Sequence, residues 1–511
     1  MRQRQLLHLI CLGVSTVSAT AADPRPDIIL FLVDDMGWQD TSVSFADSKT
    51  GYNNAYHTPN MERLAAKGVK FTQAYACAIS SPSRCSLLTG ANNARHRVTN
   101  WTLRRDQSTD LHREGIILPQ WNINGISPVA GTPMTYVGDS FVERLRRAGY
   151  HTIHVGKAHF GAMGTPGEYP QAWGFETNIA GHAAGGLATY LSELNYGHDS
   201  DGHPVSPMAV PGLEKYWGSG TFVTEALTRE ALHTLDSVGT SGHPYFLYMS
   251  HYAVHIPIDR DPRYYDKYIA RGLTPKEAAY ASLIEGMDKS LGDIMDWVES
   301  NGRPDNTVII FMSDNGGLAT QPEWRDGEPY TQNSPLRCGK GSLLEGGIRE
   351  PMIVCWPGVA DPGTSTDGIV MIEDFFPSIL EMAGVAWTED PARPVDGISF
   401  VPLLRTGLQA PSERDLIWNF PNVWGNDGPG INLATAIRRG PWKMIYHYDT
   451  GEKELYNIPD DISELNDLSA QKPEIVKDLS ERLGRQLRAV SADRPSFEST
   501  GNPCPWPDET D

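Results

Sequence analysis

Two acidic pairs offer the clearest chemistry. Asp34-Asp35 and Asp314-Asn315 supply three carboxylates and one amide oxygen. Brought together, they would form an all-oxygen site suited to Ca2+ or Mg2+ rather than zinc. Without a cation the acids would repel one another strongly. Either pair alone is also what a turn after a strand favours. A second group is basic: Lys157 and His159, two apart, point the same way on an extended segment, His255 follows another apolar run, and Lys340 lies in the glycine-rich LRCGKGSLLEGG. Singly, a lysine is usually a solvated surface charge and a histidine a structural one. Together with Arg84 they would line a hollow able to hold sulfate or phosphate and stabilise developing charge. His251 and His255 have the HxxxH spacing, but they follow a strand rather than riding a helix, which argues against a zinc pair.

The segment SSPSRCSLLTG, residues 80–90, reads as a short helix. Ser81 suits its cap, Pro82 its first turn and Gly90 its end. Arg84 on the first turn is mildly unfavourable against the helix dipole. An anion at that N-terminus, shared by Arg84 and backbone N–H groups, would reconcile the two.

The elements that must position these groups are short apolar runs that stop at polar clusters. DIILFLV ends at Asp34-Asp35, YHTIHVG at Lys157 and His159, PYFLYMS at His251 and His255, and TVIIFMS at Asp314-Asn315; PMIVCWPG is a fifth. Runs of this kind suit strands buried on both faces of a parallel sheet. Helical patterns alternate with them, the longest being YASLIEGMDKSLGDIMDWVESNG. The fold class expected is α/β, a large mixed and mostly parallel sheet sandwiched by helices, with ligands bound beyond the carboxyl ends of the strands. From about Arg414 onward, DLIWNF, TAIRRGPWKMIYHY and KELYNI read as antiparallel strands and PEIVKDLSERLGRQLRAV as an amphipathic helix. A catalytic domain over residues 22–410 and a smaller α+β subdomain over 411–511 are expected. The long loops at 91–135 and 160–220 are placed to cover the site.

The 511-residue chain carries 43 Lys and Arg against 63 Asp and Glu, and no basic run, which excludes a nucleic-acid binder. Residues 1–21 have two arginines, an apolar stretch too short to span a bilayer and the small-residue site Ala19-Thr20-Ala21, the three parts of a signal peptide. A secreted or periplasmic protein without a membrane span is expected. Cys77, Cys85, Cys338, Cys355 and Cys504 show no metal spacing and are expected as buried free thiols, although one bridge stays open.

SSPSRCSLLTG resembles the signature of the formylglycine-dependent sulfatases of the alkaline phosphatase superfamily. The likeness extends in order over DIILFLVDDMGWQD, TPNMERLAAKGVKFTQAYA, GKAHFG, VIIFMSDNGG, GKGSLLEGGIREPMIVCWPG and EDFFPSILEMAG, and AIRRGPWKMIYHYDTGEKELYNI is similar to the family's C-terminal subdomain. The resemblance implies that Ser80 is oxidised to formylglycine by a radical maturase, since neither Cys77 nor Cys85 stands in frame. It implies Ca2+ held by Asp34, Asp35, Asp314, Asn315 and an oxygen of residue 80. One hydroxyl of the aldehyde hydrate would attack sulfur, and deprotonation of the other would expel sulfate. Arg84 would steady the hydrate, and His159 would take the proton. Lys157, His255 and Lys340 would bind sulfate oxygens, with His255 or Lys340 helping to protonate the leaving alkoxide. Where the family often continues with Gly-Arg, this chain reads TGANNARHRVTNWTL, which makes His96, Arg97 and Trp101 candidate substrate contacts.

The activity implied is exo-acting hydrolysis of sulfate esters on carbohydrates, plausibly galactose-type polysaccharide fragments. Two alternatives stand beside it: a phosphatase or phosphonate hydrolase using unmodified Ser80 with two zinc ions, and an inactive secreted glycan-binding protein.

Overall fold

The computed structural model describes residues 25–120, 139–239, 241–319, 333–407, 413–425 and 429–510. The expected signal peptide at 1–21 and the domain boundary at 410 lie outside the described residues.

Eight strands form the main sheet: β1 (Asp27–Val33), β2 (Val69–Tyr75), β3 (His151–Gly156), β4 (Thr177–Ile179), β5 (Tyr245–Ser250), β6 (Thr307–Ser313), β7 (Arg349–Cys355) and β8 (Thr364–Met371). Their order across the sheet is β4-β3-β5-β1-β6-β7-β2-β8. From β4 to β6 every neighbour is parallel. The four polar-ended runs are therefore adjacent strands, β3, β5, β1 and β6, and all emerge at one edge. β1 is buried along its whole length. Ile29, Phe31 and Val33 face a core that includes the Val223–Val238 and Pro275–Asn301 helices, while Ile28, Leu30 and Leu32 face the Ser80–Thr89, Phe141–Arg147 and Phe375–Met382 helices. Burial on both faces explains why its sequence shows no polar alternation. Each such side chain contributes about 1.5–3 kcal/mol.

The long helix begins where its sequence dictates. Thr274 and Glu277 form a reciprocal capping box with Pro275 in the first turn.

The fifth apolar run, β7, is antiparallel to both its neighbours, and this corrects its placement among parallel strands. The chain enters β7 directly from the Glu345–Ile348 turn, next to the segment carrying Lys340 at the site edge, and so must run back across the sheet. β2, β4 and β8 lack the apolar-run pattern of the other strands, because β2 and β8 mix polar with apolar residues and β4 has three residues.

After the main sheet, β9 (Asp415–Phe420), β10 (Ala434–Arg439), β11 (Trp442–His447) and β12 (Lys453–Asn457) form an antiparallel sheet in that order. Trp418, Phe420, Ala436 and Ile445 pack with Tyr75, Ile79 and Leu343 of the main body. The other face, Ile437, Met444 and Leu455 among others, is covered by Leu479, Leu483 and Leu487 of the Pro473–Ala489 helix. Cys77, Cys85, Cys355 and Cys504 are buried free thiols, and Cys338 is free and partly exposed.

Candidate active site

Hydrogen bonding continues past the strand ends and fixes them to one another. The Asp34 N–H donates to the Ala253 carbonyl at 2.9 Å, the Asp314 N–H to Val33 at 3.0 Å, and the Lys157 N–H to Ser250 at 2.8 Å. Asp35 (φ 59) and His159 (φ 55) then turn through the left-handed region, a backbone cost that folds retain mainly where a side chain must be aimed.

These ends meet the Ser80–Thr89 helix. Its cap position is Ile79, without a side-chain cap. This corrects the expectation for Ser81, whose hydroxyl instead accepts from the Thr102 N–H at 3.1 Å. Gly90 ends the helix at φ 67, as its type suggests. Ser80 Oγ donates to Asn315 Oδ1 at 3.1 Å, lies 3.3 Å from Asp34 Oδ1, and accepts from Lys157 Nζ at 3.0 Å.

Each acid has its own cation. Lys157 Nζ bridges both oxygens of Asp34 at 2.8 and 2.7 Å. Lys340 Nζ donates to Asp35 Oδ1 at 2.6 Å. Arg84 meets Asp314 Oδ2 through Nε at 3.0 Å and Nη2 at 2.9 Å, and donates from Nη1 to Ser250 Oγ at 2.6 Å. With the cap at Ile79, Arg84 is the fifth helical residue, past the first turn where it was expected, and a buried carboxylate, fully enclosed like itself, lies opposite. Burial, together with the charges of Asp314 and Asp35, holds the Asp34 carboxyl above its ordinary range against the pull of Lys157. Burial acts on Asp35 in the same sense, yet Lys340, His255 and Lys157 bring it well below.

The donor set fits a hard cation. Ser80 Oγ lies 3.3 and 3.1 Å from oxygens of Asp34 and Asn315, the Asn315 amide donates to Asp35 Oδ1 at 2.8 Å, and the Asp35 N–H donates to Asp314 Oδ1 at 3.3 Å. Asp35 Oδ2 is buried and makes no hydrogen bond, which leaves a carboxylate oxygen for a hard cation. Asp34, Asp35 and His255 also come within ligating distance of one another, with His255 Nε2 3.7 Å from Asp35 Oδ2.

The two histidines have assignable tautomers. His255 Nδ1 lies 2.7 Å from the Ile256 carbonyl and therefore carries the proton, leaving Nε2 as the acceptor facing Asp35. His159 Nε2 lies 2.9 Å from the Thr102 carbonyl and carries its proton there, which leaves Nδ1 unprotonated and without a partner. Burial, then the charges of Lys157 and Arg84, keeps His159 neutral. Above this floor opens a cavity of about 310 Å3 lined by Asp35, Ser80, His159, His255 and Lys340 and, on its flank, by Trp101 and Trp424.

A sulfatase-family model matches residues 26–385, and the C-terminal model of N-sulphoglucosamine sulphohydrolases matches residues 339–492. The chain belongs to the sulfatase family. As a member it is a sulfuric ester hydrolase. A sulfatase of Formosa agariphila is 29% identical over 92% of this chain and 89% of that protein. The N-acetylgalactosamine-6-sulfatase of Mus musculus is 26% identical over 94% and 90%. The crystal structure of Ps i-CgsB in complex with k-i-k-neocarrahexaose superposes with a TM-score of 0.70 at 25% identity, covering 91% of this chain and 93% of that one. The large mixed sheet with a small antiparallel C-terminal sheet is thus a sulfatase architecture.

Within this sulfatase, the ten residues expected at the metal and sulfate positions come together at one sheet edge. Trp101 lines the cavity. His96 does not. Its ring is buried, with Nε2 3.0 Å from Ser86 Oγ and Nδ1 accepting from the Val98 N–H at 3.0 Å, and burial lowers it to about 3. Arg97 is half exposed, and its guanidinium lies 3.7 Å from Asp493, away from the cavity lining. Neither is a substrate contact in this geometry. They sit where the Asn93–His96 turn faces inward and the Arg97 αL cap faces out. His251 is likewise buried, its Nε2 2.8 Å from Ser290 Oγ. Sequence reasoning missed Ser250, the glycines Gly185 and Gly186 beside His159 and His255, and Trp424 on a loop of the C-terminal sheet. The pairing of Gly185 with Gly186 inside a long loop was the one available signal.

Proposed function

We propose that the protein is an exported carbohydrate sulfatase that works through formylglycine at position 80 and a calcium ion. The observation that supports this most is the position of Ser80 Oγ, 3.0–3.3 Å from Lys157, Asn315 and Asp34 on the floor of a cavity. When present, formylglycine supplies the nucleophile, and calcium, held by Asp34, Asp35, Asp314 and Asn315, supplies the charge that favours its ionised form.

The remaining work falls to the chain. Arg84 holds Asp314 and Ser250 in place under the nucleophile. Lys157 and Lys340 bring two ammonium groups to the oxygens of an incoming sulfate. His159, with Nδ1 unprotonated, accepts a proton at that atom. His255 Nε2, unprotonated here and beside Asp35, would take up a proton from solvent as the sulfate's charge raises its basicity and pass that proton to the departing alkoxide. The relatives named for N-acetylgalactosamine-6-sulfatase activity, and the neighbour solved with a neocarrahexaose, favour a sulfated galactose-type saccharide as substrate. A two-zinc phosphatase would call for more imidazole than the single His255 beside the acids among the described residues.

The test is co-expression with a radical maturase, followed by peptide mass at residue 80 and free-sulfate assay on defined sulfated saccharides. Loss of two hydrogens at Ser80 together with sulfate release is expected. An intact serine and no release would refute the reading.

A further inference from the structure

The floor of the cavity handles sulfate, but its flank is a different surface. Trp101, Trp424, Leu111 and Met208 line it. At about 310 Å3 the cavity stands at the small end of the usual range for ligand sites, which suits a single ring. Among the described residues, its charged members are Asp35 and Lys340, already joined at 2.6 Å, and no arginine or second lysine lines it. A carboxylate or second sulfate on the alcohol would lose its hydration there without gaining a partner.

The two indoles belong to loops far apart in sequence, yet they are fastened together. Asp110 accepts from Asn100 Nδ2 at 2.7 Å, beside Trp101, and from Asn422 Nδ2 at 3.2 Å, two residues before Trp424. The Leu111 N–H donates to the Val423 carbonyl at 2.8 Å, and the Thr109 hydroxyl to the Trp101 carbonyl at 2.6 Å. The Trp424 N–H donates to Asn432 Oδ1 at 2.9 Å. Its ring lies against Gly341, where a Cβ would stand 2.3 Å away, so the indole reaches the residue next to Lys340. An aromatic wall fixed in this way loses little freedom when a ring docks on it.

We infer that Trp424, with Trp101, selects the alcohol, that the alcohol is an uncharged pyranose, and that Asp110 is the positioning residue that sets the two indoles. The inference rests on the sulfatase reading above and adds to it the surface that recognises the sugar and the exclusion of a second charge on it.

The matured protein is assayed for sulfate release from galactose 6-sulfate and from a sulfated glucuronic acid, with inorganic sulfate as competitive inhibitor. The uncharged sugar is turned over at least about ten-fold more efficiently. Trp424→Ala raises its KM by about ten-fold, with the loss in KM rather than kcat and the inhibition constant of inorganic sulfate unmoved. Trp424→Phe restores most of the affinity. Asp110→Ala raises KM in the same direction. Because Trp424 is largely buried, Trp101→Ala gives an independent reading should the first variant fold poorly. Preference for the uronate, or an unchanged KM in folded Trp424→Ala and Trp101→Ala, overturns the inference while leaving the sulfatase reading intact. Release from neither sugar, with no inhibition constant to measure, overturns both.

Discussion

Gly185 lies against the imidazole of His159 so closely that a methyl group on its Cα would stand 2.1 Å from Cε1 and 2.4 Å from Nδ1. Gly186 stands in a similar relation to His255, 2.9 Å from Cε1. The loop that carries these glycines packs against both imidazoles.

Gly185→Ala is therefore expected to act through His159. The backbone at 185 lies outside the left-handed region, so the clash falls on the ring. A displacement of about 1 Å at a catalytic group lowers kcat by roughly 10²-fold. Circular dichroism should show the fold retained. Wild-type kcat in this variant would remove the constraint.

Arg84→Ala leaves Asp314 buried in metal-free protein without its close cation, with only Lys157 Nζ remaining at 3.9 Å. Both side chains are fully enclosed, so the loss should be about 3–5 kcal/mol by urea unfolding in chelator. Asp314→Asn in the same background should recover part of it, as a double-mutant cycle would register.

Calcium should raise the melting temperature, since it binds the folded acids and not the open chain. At a hundred times its dissociation constant the gain is about 2.7 kcal/mol. Asp35→Asn should blunt the shift, and zinc should give a smaller one, with differential scanning fluorimetry as the readout. An equal response to zinc would contradict an oxygen site.

Stability should fall in mild acid through histidines that burial keeps neutral. His251 and His154 are each lowered to about 3, burial being the first cause. With the folded value below the unfolded one near 6.5, the stabilisation is complete above that pH and is lost progressively as pH falls toward 3. His251→Asn should flatten the dependence of melting temperature on pH in this window.

The cavity floor was legible because strand ends announce themselves: an uninterrupted apolar run that stops at ionisable or amide residues is a local pattern, and four such runs on adjacent parallel strands must converge. Lys340 was legible through its glycine-rich surroundings. The aromatic flank was not, because Trp424 lies on a loop of the C-terminal sheet and Ser80 at the start of a helix packed on the main one, and only tertiary packing brings both to one cavity. His96 and Arg97 misled for the opposite reason. They follow the signature closely in sequence, but a short turn sends one ring inward and the other side chain out to solvent. The direction of β7 was equally hidden, since strand pattern carries no sign.

The clasp between Leu111 and Val423 separates two kinds of information along the chain. On the proposed function, what happens to the sulfur is decided at the ends of four buried core strands, and which alcohol is accepted on two tethered loops. Drift in those loops can exchange one sugar for another without touching the reaction, so descendants of such a scaffold can diversify in diet while keeping one chemistry.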